Sequence, residues 1–174
     1  MGQYYVVANI TKKEFIEPSM FMDGVKLMEF ALASNGVLSG LAILLASSNG
    51  GNGGDLAVDE DWRDIPGRWA GDRIVVAGDY DDNPNSPGYK VYELCGDRTD
   101  MEQLLQAGGQ LDNWTDISSR VLGALLSDDW FRQQFTHLHE GAGSDYYDHR
   151  QRELWAAARP GETFPRDLSS NSHN

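Results

Sequence analysis

Apolar and polar positions divide the chain into a strand-rich first half and a helix-rich second half. Tyr4-Tyr5-Val6-Val7-Ala8-Asn9-Ile10 is apolar nearly throughout and reads as a buried strand. Thr11-Lys12-Lys13 reads as a turn, and Glu14-Phe15-Ile16-Glu17 as a second strand closed by Pro18, which together make an N-terminal hairpin. Asp23 offers a helix cap before Val25, Met28 and Leu32, whose spacing predicts a short amphipathic helix ending at Asn35-Gly36. The run 37–46 is rich in Leu and Ala and reads as a buried helix. Arg73-Ile74-Val75-Val76-Ala77-Gly78-Asp79 reads as a strand. Tyr89-Lys90-Val91-Tyr92-Glu93-Leu94 reads as its antiparallel mate across a linker of turn residues.

Beyond Gly96 the pattern turns helical. Thr99-Asp100-Met101-Glu102 is a capping box for a helix that stops at Gly108-Gly109. Asp116 is placed to cap a helix through Val121, Leu122, Leu125 and Leu126. Ser127-Asp128-Asp129 is placed to cap another carrying Trp130, Phe131 and Phe135. A last helix is predicted over 146–158, before Pro160, and 161–174 is predicted to be a disordered tail. The expectation is a single α+β domain over 1–160, with N-terminal antiparallel β-hairpins and short helices, then a helical half. Trp69 and Trp130 lie beside apolar runs and are expected in the core.

Charge adds a surface that suits a basic protein partner, a cation or solubility alone. The chain carries 27 acidic and 14 basic residues, a net charge of −13. Thirteen of the acids, against five bases, fall between Asp55 and Glu102. Such a surface repels nucleic acid and anionic membranes, so neither is an expected partner. The longest apolar run is about half the roughly 20 residues of a membrane span, and no basic-then-apolar leader is visible. One cysteine, Cys95, excludes an intrachain disulfide and fits a reducing cytoplasm; with acidic neighbours it reads as a buried, inert thiol.

Candidate chemistry is thin. The Gly-rich stretch 50–54 lacks the Gly-Lys-Ser/Thr ending of a phosphate loop and runs into Asp55, so it reads as a surface loop. Asp79, Asp81 and Asn83 alternate as Ca²⁺ or Mg²⁺ ligands would, but Pro84 and Lys90 stand where an EF-hand needs Gly and Glu. His137, His139 and His149 form the only histidine cluster, without HExxH or paired CxxC. No nucleophile elbow is present. Trp62 sits inside Asp59-Glu60-Asp61-Trp62-Arg63-Asp64, an aromatic in an acidic ring. That arrangement suits either a binding anchor or a side chain tucked into the core.

The opening Met1-Gly2-Gln3-Tyr4-Tyr5, then Thr11-Lys12-Lys13-Glu14, Lys26-Leu27-Met28-Glu29-Phe30 and Gly67-Arg68-Trp69-Ala70-Gly71-Asp72-Arg73-Ile74-Val75 followed by Gly78-Asp79-Tyr80, carry a resemblance over roughly residues 1–94. They resemble a family of small uncharacterised acidic proteins of bacterial, plasmid and viral genomes. That family has no known activity, so the resemblance implies no catalytic residues. It implies the setting of mobile elements and viruses, whose small acidic accessory proteins bind and block host machinery.

The sequence therefore points to a non-enzymatic, cytoplasmic inhibitor of protein function. Asp59, Glu60, Asp61, Trp62, Asp64, Asp79, Asp81 and Asp82 would dock on a basic host protein, such as the nucleic-acid-binding groove of a defence nuclease, with carboxylates in place of phosphates. A structural virion or particle component is the second reading. A metal-dependent hydrolase using Asp79, Asp81 and Asp82, with the histidines as further candidates, is the third.

Overall fold

The computed structural model describes residues 3–33, 36–47, 56–95, 114–138 and 145–170. At its centre is β1 (Tyr5–Asn9), which pairs antiparallel with β2 (Glu14–Ile16) on one side and with β3 (Ile74–Gly78) on the other. A two-residue β4 (Thr115–Asp116) adds parallel to β2, giving the order β3-β1-β2-β4. The N-terminal hairpin thus forms as its pattern predicts. Its turn is pinned by the Asn9 carboxamide, which accepts from the Lys12 amide at 2.9 Å.

Both faces of β1 are covered, which explains its unbroken apolar run. Val7 and Ile16 point to the larger core with Phe21, Phe30, Leu44, Trp69, Val121, Leu122, Phe135 and Trp155. Val6, Ala8, Phe15 and Ala77 point the other way, against Val91 and Cys95. The larger layer holds α2 (Val37–Leu45), α4 (Ser118–Leu125), α5 (Asp129–His137) and α6 (Asp145–Ala158). Within it α4 packs most closely on α6, and next on α2. The α+β architecture with a helical C-terminal half is the one expected from the chain. Asp128 caps α5 as its position implies, accepting from the Phe131 amide at 2.8 Å.

The structure departs from the sequence pattern at five places. Residues 89–94 do not form a strand beside β3, because β3's partner is β1. Lys90 turns the chain with a left-handed φ of 59°, and α3 (Val91–Cys95) follows. The alternation of Val91, Tyr92, Glu93 and Leu94 conceals a helical spacing: Val91 and Cys95, one turn apart, are the two residues buried on the sheet. The early helix is only α1 (Leu27–Ala31), with Phe30 its single buried residue. Met28 and Leu32 are 62% and 77% exposed. Val25 is drawn away from the helix because its carbonyl accepts from the Tyr5 amide at 3.0 Å.

Asp23 caps no part of α1; its carboxylate accepts from the Val37 amide at 2.7 Å, at the first turn of α2. Trp130 is 60% exposed, since α5 buries Phe131 and Phe135 on its other side. Within the stretch expected as a disordered tail, Phe164 enters the core and α7 (Pro165–Ser170) follows. Arg152 holds this segment through Asp167 at 2.5 Å and lies over the Phe164 ring. The capping box at 99–102, the stop at 108–109 and the Gly-rich loop 50–54 lie outside the described residues.

Candidate functional site

The eight residues expected to form one acidic docking face separate into two groups with opposite electrostatic fates. The first group, 59–64, sits on a short 3-10 turn (Glu60–Trp62) packed over α4 and is largely neutralised from within. Asp59 meets the buried Arg159 guanidinium at 2.5 Å, and Ser127 joins them by accepting from the same guanidinium at 2.8 Å. Hydrogen bonding to Arg159 holds the Asp59 carboxyl below its ordinary value against a small opposing effect of burial. Asp64 is bridged by Arg68 at 2.9 Å and Arg120 at 2.8 Å. Glu60 pairs with Arg63 at 3.1 Å on the surface.

Trp62 packs on the helical layer and also lines the neighbouring cleft. It is half-buried, and its ring lies on Gly123 of α4, where an added Cβ would stand 2.8 Å from the indole. Asp61 remains exposed on this turn. Beside it, Asp59, Trp62, Arg159, Pro160 and Glu162 line an open cleft of about 460 Å³. Its guanidinium is already engaged by Asp59 and Glu162.

The second group, 79–82, leaves β3 at its C-terminal end. Asp79 accepts from the Tyr4 amide at 3.1 Å and Asp81 from the Ser86 hydroxyl, while Asp82 is exposed. Among the described residues no cation is paired with any of the three. Lys90 is the single base between Ile74 and Cys95, and it lies over the Tyr89 ring at 5.6 Å.

The fold brings further acids to this side that sequence reasoning did not group with them. The Tyr92 hydroxyl is pushed up first by burial and then by Asp79 and Glu17. The Cys95 thiol is buried as expected, and burial, Asp116 and Glu17 push it up. Glu93 projects from α3 into solvent. The missed signal was the spacing of Val91 and Cys95, which places α3 over the sheet and gathers these carboxylates around it.

Polar donors occupy the weak metal candidates. Besides the bonds to Asp79 and Asp81, Asn83 accepts from the Asn85 amide at 3.0 Å in a local turn. Among the described residues no three His, Cys, Asp or Glu side chains are grouped to hold a metal ion. His149 pairs with Glu153 at 3.3 Å, and His139 lies outside the described residues.

A second open cleft, about 400 Å³, is lined by Ser19, Met22, Asp23, Tyr146, Tyr147, Arg150 and Glu153. Burial pushes the Asp23 carboxyl up to about 6, against the opposing pull of the Val37 amide. Arg150 is bonded to Glu153, one turn on along α6, at 3.3 Å. No described helix is long and apolar enough to cross a membrane. Comparison of the chain with family models, with curated proteins and with solved structures finds no match in any of the three.

Proposed function

We propose that the protein works by binding, not by catalysis, and that its docking face is the acidic surface at the C-terminal end of β3. Asp79, Asp81 and Asp82 form its centre, and Glu93 adds an exposed carboxylate on α3, which packs against β3. One observation carries this reading: these carboxylates have no counter-ion among the described residues, whereas three of the four in 59–64, Asp59, Glu60 and Asp64, are matched by Arg159, Arg63, Arg68 and Arg120. Carboxylates already paired within the fold offer a partner little field; unmatched ones steer a basic surface toward themselves.

The partner of fitting chemistry is a basic, nucleic-acid-binding protein surface on a host defence component, met in the cytoplasm. There carboxylates take the places of phosphates and occlude the groove. The resemblance of residues 1–94 to small uncharacterised proteins of bacterial, plasmid and viral genomes implies a setting in which an inhibitor fits.

The test is capture of host proteins on the immobilised chain, with duplex DNA as competitor. The wild type is expected to retain a basic protein that DNA displaces. The triple variant Asp79→Asn, Asp81→Asn, Asp82→Asn is expected to lose it, and the variant Glu60→Gln, Asp61→Asn to keep it. Retention by the triple variant at wild-type strength sinks this docking face. Loss confined to the Glu60/Asp61 variant moves the face to the 3-10 turn.

A further inference from the structure

The outer edge of β3 is a self-complementary strand. Arg73 accepts from the Ile10 amide at 2.9 Å and donates to the Thr11 hydroxyl at 3.0 Å, and the Asp79 amide donates to the Tyr4 carbonyl at 3.0 Å. Main-chain groups alternate sides along an antiparallel strand, so Arg73, Val75, Ala77 and Asp79 face β1. Ile74, Val76 and Gly78 therefore turn their N–H and C=O groups outward. The Gly78 carbonyl takes the Asp81 amide at 3.3 Å in the following turn. Among the described residues no strand lies beyond β3, and Val76 at its middle is 40% exposed. Such an edge is a ready template for another strand.

We propose that the occupant of this edge is β3 of a second copy of the chain, antiparallel, with Val76 opposite Val76. In that register the outward groups of Val76 exchange hydrogen bonds with their counterparts, and Ile74 lies opposite Gly78. Arg73 of each copy then falls opposite Asp79 of the other, twice per dimer. These pairs occupy the non-hydrogen-bonded sites, where side chains approach most closely. Both members are available in the single chain; in the dimer Asp79 turns to Arg73, and the docking face rests on Asp81 and Asp82. Arg73 is exposed with no ion pair among the described residues, and the Tyr4 amide engages only Oδ1 of Asp79.

Charge order selects this arrangement over its rivals. The strand is basic at its start and acidic at its end, where Asp81 and Asp82 follow Asp79. A parallel pair would set Arg73 against Arg73 and Asp79 against Asp79. An unrelated extended segment would need the same charge order to do as well. Two chains of net charge −13 also repel at long range. Salt therefore weakens both the local attraction and the global repulsion, and charge exchange is the cleaner probe.

The test is light scattering on the full chain across a wide concentration range. The wild type is expected to rise from 19.3 kDa toward twice that mass. Val76→Pro removes an outward N–H without touching the β1 ladder and is expected to stay at the monomer mass with an unchanged circular dichroism spectrum. Arg73→Asp is expected to weaken association roughly tenfold by setting acid against acid at two sites. Adding Asp79→Arg to it is expected to restore association, which keeps the test decisive if the proline variant does not fold. A wild type at monomer mass throughout overturns the proposal. So does association that Val76→Pro and Arg73→Asp leave intact, because the contact then lies elsewhere. Failure of the double variant to regain what Arg73→Asp lost overturns the register.

Discussion

Gly123→Ala tests how closely the helical layer is built. Gly123 lies inside α4, where glycine costs about 1 kcal/mol relative to alanine. On propensity alone the substitution should stabilise the protein. Packing opposes it. The new Cβ would stand 2.8 Å from the Ala158 carbonyl oxygen of α6 and 2.8 Å from the Trp62 ring. Both are well inside van der Waals contact. The ring, half-buried on a short turn, is able to swing outward. The carbonyl belongs to backbone beside the buried Arg159–Asp59 pair and has little room to give. Overpacking of this kind costs about 1–3 kcal/mol, and displacing Trp62 adds a share of its buried area. The expected net loss is about 1–2 kcal/mol. At about 2–4 °C per kcal/mol for a chain of this size, Tm falls by roughly 2–8 °C. Urea denaturation monitored by circular dichroism measures the loss, and acrylamide quenching reports whether Trp62 has become accessible. A variant as stable as wild type, or more so, would refute the close approach of α4, α6 and Trp62.

Two further expectations concern buried carboxyls. Asp23 is pushed up to about 6, so its protonated form suits the fold. Its contribution is complete below about pH 4 and is lost as pH rises through 6, by at most about 3 kcal/mol. Asp23→Asn should flatten that part of the stability–pH curve, and an unchanged slope would refute the assignment. For Glu14, burial pushes the carboxyl up, but hydrogen bonds from Arg68 and Trp69 outweigh it and hold it below its ordinary value. Its stabilisation is present above the ordinary carboxylate range and fades as pH falls through the depressed value. Glu14→Gln should cost about 2–3 kcal/mol by urea denaturation, because it strips a half-buried guanidinium of its bidentate partner; a loss within error of zero would refute that role.

What the sequence could disclose was local. The hairpin was legible because Val6, Val7 and Ala8 form an unbroken apolar run and Lys12-Lys13 breaks it. The α5 cap was legible because Asp128 precedes the apolar residues it serves. The fate of 59–64 was not, because the arginines that neutralise it arrive from Arg120 and Arg159, 56 and 100 residues away along the chain. Residues 89–94 misled because their β-branched and aromatic side chains alternate over too short a window to separate a period of two from a turn of helix. Trp130 misled because position in an apolar run does not say which side of a helix is inward. Which carboxylates stay unmatched is a property of long-range pairing, and that sets how much of the docking face could be read in advance.

The parallel pairing of β2 with β4 has a consequence for synthesis of the chain. Phe15, paired with Ala8 of β1 on one side, receives its neighbour on the other side from Asp116 and Ile117, and the Glu17 amide is received by the Ser118 hydroxyl. β2 is made about a hundred codons before β4, so its pairing on that side waits for that interval. At about 5–20 residues per second that interval is on the order of ten seconds. For that time the nascent hairpin is a natural client for chaperones. Slower translation downstream of β3 should therefore lower soluble yield without altering the stability of the finished molecule.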